Sequence, residues 1–222
     1  MIELKNVTLV KKKSVLADHI NLKLNNGKIY GICVSEPLLT LFAGLLSGTR
    51  LPVSGTVIIN GFDTSRELKK VKSFLSYVPN GDVLYDRMTP LEYLLFIADA
   101  HGTEYQKAIR KIADALDFTE LSMKRNMLIK NLSFYEKKRL LLAQSLLSGG
   151  DIFILNSPLE GLTSTEKEHF KSILEDALEG YTAIILDTTQ SDLFSLCEAV
   201  YTFCDNGFTL IEANDDGKEE ND

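Results

Sequence analysis

Basic side chains are in short supply: 24 Lys and Arg stand against 31 Asp and Glu, giving a formal net charge of -7 and a pI near 5.1. A nucleic-acid surface needs clustered cations, so this balance argues against nucleic acid as a partner. Cysteine is scarce too. Cys33, Cys197 and Cys204 sit in apolar surroundings without metal-ligand spacing, which reads as buried, reduced thiols and a cytosolic setting. No apolar run reaches the ~18 residues of a membrane span. The opening "MIELKNVTLV" is patterned as a strand, which predicts no signal peptide. What remains is ordinary material for a packed core: 222 residues, 45% hydrophobic and 25% charged, enough for one large α/β domain or two small ones.

The order of elements narrows the fold. "IELKNVTLV", "HINLKLNNGKIYGI" and "GTVIINGFD" read as antiparallel strands, with a hairpin turn predicted at "LNNGK", residues 24–28. Beyond "FLSYVPN" the pattern turns helical. "TPLEYLLFIADAHG" predicts a helix capped by Thr89, with Pro90 at its first turn and Glu92 three residues past the cap. "EYQKAIRKIADALDF" and "SFYEKKRLLLAQSLLSG" predict two more amphipathic helices. Then "DIFILN", "STEKEHFKSILEDAL", "TAIILDT", "SDLFSLCEAV" and "YTFCDNGFTLIE" alternate strand and helix, which implies a parallel sheet with right-handed crossovers. The polar tail, residues 213–222, is expected to be disordered.

One junction is conspicuous for what it omits. In "GKIYGICVSEPLLTLFAGLL" an apolar strand meets an apolar helix with only Ser35, Glu36 and Pro37 between them. A phosphate-binding junction here would carry G-x-x-x-x-G-K-[ST], whose backbone N–H groups and lysine cradle phosphates. From end to end, residues 1 to 212, the chain nevertheless resembles the nucleotide-binding domain of an ABC transporter. The matching stretches are "GKIYGI", "LLTLFAGLLSGT…PVSGTVIINGFD", "LSYVPNGDVLYDRMTPLEYLLFIADAHG", "NLSFYEKKRLLLAQSLLSGGDIFILNSPLEGL" and "LCEAVYTFCDNG", in order and in register. The resemblance implies a P-loop-NTPase-like α/β fold with an antiparallel β subdomain and a helical subdomain over about residues 84–147.

Against that framework the chemistry is absent. Accommodating the family's P-loop at Ser35, Glu36 and Pro37 would take about five more residues, and Glu36 brings a negative charge where phosphates would sit. In "IFILNSPLEGL", Asn156 stands at the magnesium-coordinating Asp and Ser157 at the catalytic Glu, while Thr163 replaces the D-loop Asp. A neutral amide is a poorer ligand for a hard cation, and a serine cannot act as the general base. Ser133 is kept at the signature motif, but Phe134 and Tyr135 replace its glycines and Glu136 adds charge facing a partner's γ-phosphate. Asn80 occupies the Q-loop position. Thr188, Thr189 or Gln190 aligns with the switch histidine, and His19, His101 and His169 lie elsewhere and read as solvated or structural. No aromatic stands at the adenine-stacking position near Val10 and Lys11. "LSGG" does occur at residues 147–150, but directly before a strand, where glycine caps a helix.

The resemblance therefore implies a degenerate ATP-binding subunit with no ATP-hydrolysing residues and no expected cofactor, the family's being Mg-ATP. Its implied partners are a transmembrane permease subunit and an intact ATPase homologue in a head-to-tail dimer. That places it in the cytoplasm, on the inner face of the membrane through the permease. Asn80, Leu84, Tyr85, Met88 and Tyr93 are the expected contacts for the permease, although the same aromatics could pack the subdomain core. An active ATPase with an unorthodox site, or a soluble decoy for a catalytic homologue, are the alternatives.

Overall fold

The computed structural model describes residues 1–81, 83–189 and 191–213. Strict alternation shapes the first sheet. Along β2 (Ser14–Leu24), Ile20, Leu22 and Leu24 face inward while His19, Asn21 and Lys23 face solvent. It pairs with β1 (Ile2–Lys11), which pairs with β4 (Ser54–Ile59), which pairs with β5 (Phe62–Asp63), all antiparallel in the order β2-β1-β4-β5.

The second sheet has six strands. β3 (Ile29–Cys33), β6 (Leu75–Val78), β7 (Ile152–Asn156), β8 (Thr182–Asp187) and β9 (Ala199–Cys204) run parallel, and β10 (Gly207–Ala213) closes one edge antiparallel, in the order β10-β9-β3-β8-β7-β6. β7 and β8 are buried almost continuously, as expected of parallel strands covered on both faces. On one face lie the first sheet and α1 (Leu38–Leu46), packing Phe42 with Ile32 and Ile184. On the other lie α5 (Phe134–Ser148) and α6 (Ser164–Leu178), packing Leu141, Leu142, Phe170 and Leu174 against Phe153 and Ile185.

A third cluster belongs to the helical subdomain. α3 (Pro90–Ala100) and α4 (Tyr105–Phe118) bury Tyr93, Leu94, Ile112 and Leu116 against Leu140 and Leu147 of α5. Thr89 caps α3 as its sequence predicts, its hydroxyl accepting from Glu92 N–H while the Glu92 carboxylate accepts from Thr89 N–H. α5 ends at Gly149 in the left-handed conformation, so "LSGG" is a helix cap.

The structure departs from the sequence reading at four points. "LNNGK" is a turn but not a hairpin: β2 and β3 enter different sheets, because β3 is drawn into the parallel sheet between β8 and β9. "SDLFSLCEAV" forms only a 3-10 turn at Asp192–Leu196, since Ala199 is already committed to β9. A short helix, α2 (Leu68–Lys72), carries too few apolar residues to be seen by periodicity. β10 reaches Ala213, one residue into the segment read as tail, and the rest of the tail lies outside the described residues. Among the described residues no helix is long and apolar enough to cross a membrane.

Candidate functional site

Parallel strands deliver their following loops to one edge of a sheet, and a switch in strand order opens a crevice there. Here Cys33 is in register with Asp187, Leu186 with Asn156, and Leu155 with Val78. The loops after β3, β6, β7 and β8 therefore meet at the carboxyl edge. They carry Ser35 to Pro37, Asn80, Ser157, and Thr188 with Thr189; Gln190 lies outside the described residues.

The β3–α1 junction is closed by its own chain. Val34 N–H donates to Asp187 O (2.9 Å), which ties β3 to the end of β8. The Ser35 carbonyl accepts from Leu38 N–H (2.9 Å) and Leu39 N–H (3.2 Å), donors that the start of a helix otherwise leaves unpaired. The Glu36 carboxylate lies over the same first turn, taking the Thr40 hydroxyl at 3.0 and 2.9 Å. A negative side chain is favoured at a helix N-terminus for the reason that a phosphate would be.

Next to it, β7 ends in a polar knot. Asn156 ends the strand beside Tyr77, whose hydroxyl burial holds above the usual tyrosine range, opposed by the Asn156 side chain. The Asn156 Oδ1 is buried with no partner among the described residues. Ser157 is buried and left-handed (φ 42°), a conformation costly for a non-glycine residue, and its N–H donates to Leu186 O at 2.8 Å.

The group at the centre of this knot is one the motif reading missed. Lys138 of α5 is 3% exposed, and its ammonium donates to Asn80 Oδ1 (3.0 Å) and to the Ser157 carbonyl (3.3 Å). Burial holds its pKa below the usual lysine range, opposed by Glu160 and Asp187. Asn80 Nδ2 in turn donates to Glu160 Oε2. In sequence, Lys138 is one cation in "EKKR" on a mixed helix, and nothing local marks it as buried.

At the start of α5, one expectation is corrected. Glu136 does not point outward. Its carboxylate accepts from Ser133 N–H (2.9 Å), completing a capping box with the Ser133 hydroxyl, and pairs with the Lys124 ammonium. Burial pulls this carboxyl up, but the contacts with Lys124, Ser133 and Arg139 outweigh it and hold its pKa below the usual carboxylate range. Tyr135 lies sideways against Phe170, its hydroxyl 2.9 Å from His169 Nδ1, and His169 Nε2 reaches Glu120 Oε1 at 3.1 Å. His169 is thus a structural link. Of Phe134, Tyr135 and Glu136, Phe134 alone projects, half exposed. It covers Gly161, where any Cβ would come within 2.9 Å of the Phe134 ring. Thr163 is the N-cap of α6, in a capping box with Glu166.

Thr188 and Thr189 line a cavity of about 300 Å³ whose charged walls are Glu160, Asp187 and Asp192 against Lys167. Thr188 N–H donates to Asp187 Oδ1 at 2.7 Å. Among the described residues no cluster of His, Cys, Asp and Glu is arranged to hold a metal ion.

The groove residues divide. Tyr93 is 2% exposed, and its hydroxyl donates to Gln144 Oε1, so it belongs to the core. Leu84 and Met88 are half-buried against the subdomain. Tyr85 is exposed, edge-on to Phe96 with ring centroids 5.7 Å apart, and Phe96 is itself 46% exposed. Phe96 follows Tyr93 by three residues on α3, close enough in angle to read as the same buried stripe.

Known proteins give this architecture a place. The profile of the ABC transporter family matches residues 17–160. The chain is 27% identical over 146 residues to the phospholipid-transporting ATPase ABCA3 of Mus musculus, 66% of this chain but 9% of that protein. It is 26% identical over 176 residues to ABC transporter A family member 12 of Arabidopsis thaliana, 78% of this chain and 19% of that protein. The chain thus spans only a small part of these relatives. Among solved structures, a dimeric ATP-binding cassette bound to ADP and Pi shares the fold at a TM-score of 0.80, with 20% identity and coverage of 94% of this chain and 96% of that one. A nucleotide-free cassette from an ABC transporter gives a TM-score of 0.81 with 16% identity, covering 96% and 92%. The chain belongs to the ABC transporter family, and its fold is that of the ATP-binding cassette.

Proposed function

We propose that this chain is a pseudo-ATPase, a cassette that keeps the docking surfaces of an ABC transporter subunit and works without nucleotide. The observation that carries the reading is the closed β3–α1 junction. The Ser35 carbonyl holds the N–H groups of Leu38 and Leu39, and Glu36 supplies an anion at the helix start. Asn156 in place of a carboxylate and the acidic wall at Asp187 point the same way, so the residues present do not fit Mg-ATP. A bound phosphate would forgo several charge-assisted hydrogen bonds of about 1.5–3 kcal/mol each and would face Glu36 besides.

In this reading the chain pairs head to tail with an intact homologue and holds a transmembrane permease at the cytoplasmic face of the membrane. Tyr85 and Phe96 form the exposed aromatic anchor, with Leu84 and Met88 beneath them. Across the dimer, Phe134 rather than Glu136 stands in the way of a partner's nucleotide, because the Glu136 carboxylate is spent on its own helix cap.

Affinity purification of the tagged chain from its own cells tests this. Both a multi-span permease and an intact ATPase should co-purify, and Tyr85→Ser with Phe96→Ser should lose the permease while retaining the ATPase. Recovery of the ATPase alone with the unaltered chain would mean a soluble decoy instead.

A further inference from the structure

Three segments that are far apart in sequence meet at one ammonium. Lys138 Nζ donates to Asn80 Oδ1 on the loop after β6 and to the Ser157 carbonyl on the loop after β7. Asn80 Nδ2 donates to Glu160 Oε2, and Glu160 N–H donates back to the Ser157 carbonyl at 3.2 Å. The four groups close a ring: Lys138, Asn80, Glu160, Ser157. The Phe134 side chain, one turn before Lys138, lies 5.5 Å from the ammonium and covers Gly161 of the same β7–α6 loop. The ring therefore joins the helical subdomain, through α5, to both loops at the carboxyl edge.

A buried cation with fixed acceptors is a stiff joint. Leaving any of its partners unsatisfied in a buried site costs more than the bond itself is worth, so the ring tends to form or break as a unit. Asn80 leads directly into the segment that carries Leu84 and Tyr85, and Glu160 leads into the loop ending at Thr163. We propose that Lys138 is an internal tether that couples the loop of the aromatic groove to the β7–α6 loop with no ligand between them, so that the two loops loosen or hold together. This extends the adaptor reading. Its test needs only the isolated chain without nucleotide or partner, so it can fail while that reading stands, and the reverse.

The test is residue-resolved amide hydrogen exchange on the full chain. The reporters are Val83 N–H, bonded to Gly81 O at 3.1 Å on one side, and Glu160 N–H and Leu162 N–H on the other. Asn80→Ala should speed exchange at Glu160 and Leu162 by about tenfold or more, although neither residue is on its loop. Glu160→Ala should speed Val83 similarly. Lys138→Met should loosen both sides, and the amides of α4 should be unchanged in all three. If Lys138→Met does not fold, the two loop variants still decide, since Glu160 is exposed and Asn80 only half-buried. Effects confined to the loop that carries each substitution would overturn the coupling.

Discussion

The carboxyl edge of the sheet and the aromatic groove of the helical subdomain hold opposite kinds of surface. At the edge, polar groups consume one another: Ser35 takes the first N–H groups of α1, Glu36 takes Thr40, and Lys138 takes Asn80 and Ser157. At the groove, apolar groups go unused, with the Tyr85 and Phe96 rings paired in solvent. A surface that binds small polar ligands keeps its donors available, and one that binds protein keeps hydrophobes exposed. The comparison supports the proposed reading: the edge leaves few polar groups free for a small ligand, and the groove leaves hydrophobes free for protein.

The sharpest way to break that contrast is to truncate neighbouring aromatics on either side of the groove wall. Tyr93→Ala removes a fully buried ring and should cost about 3–5 kcal/mol, read as a fall in denaturant midpoint. Tyr85→Ala should cost about 0.5–1 kcal/mol or less, the scale of an exposed aromatic pair. Equal losses would place Tyr85 in the core and remove the groove.

A second effect depends on pH. The buried Cys197 thiol is pushed up to about 12 by desolvation from an ordinary 9.0. Between those values the unfolded chain holds fewer protons than the folded one, so stability falls as pH rises. The contribution is complete below pH 9 and lost at about 1.4 kcal/mol per pH unit above it. Tyr93, pushed up to about 12 from 10.0 chiefly by burial, steepens the fall beyond pH 10. Urea melts at pH 8, 9, 10 and 11 should show this, and Cys197→Ala should flatten the portion that begins at pH 9. An unchanged slope in that variant would show that the thiol does not titrate in the interior.

How much of this was legible depends on the range of the interaction. Local signals were clear: the Thr89 cap, the "LSGG" helix end and the buried runs of β7 and β8 all follow from nearest neighbours along the chain. The S-x-x-E pattern of Ser133 and Glu136 was equally legible as a capping box, yet reading Glu136 only as a signature residue turned its charge outward. Sheet membership was not legible, because the turn after β2 looks the same whether the next strand pairs back or crosses to a second sheet. Nor was Lys138, whose acceptors come from positions 58 and 19 residues away. Burial of a long cation is decided by such distant partners, and no periodicity announces it.

The smallest expected effect concerns the end of the chain. After Ala213 the sequence offers no apolar side chain to anchor it, so truncation after Ala213 should leave the melting temperature within about a degree or two. A larger fall would show that the acidic segment contributes contacts of its own.

The central claim is that the chain's own groups have taken the place of nucleotide, and titration of the isolated protein with Mg-ATP tests it most directly. Calorimetry should show no saturable heat and thermal denaturation no shift up to several millimolar. For comparison, a ligand present at 100 times its Kd would stabilise the fold by about 2.7 kcal/mol. Saturable binding below about 1 mM, accompanied by a rise in melting temperature, would contradict the account.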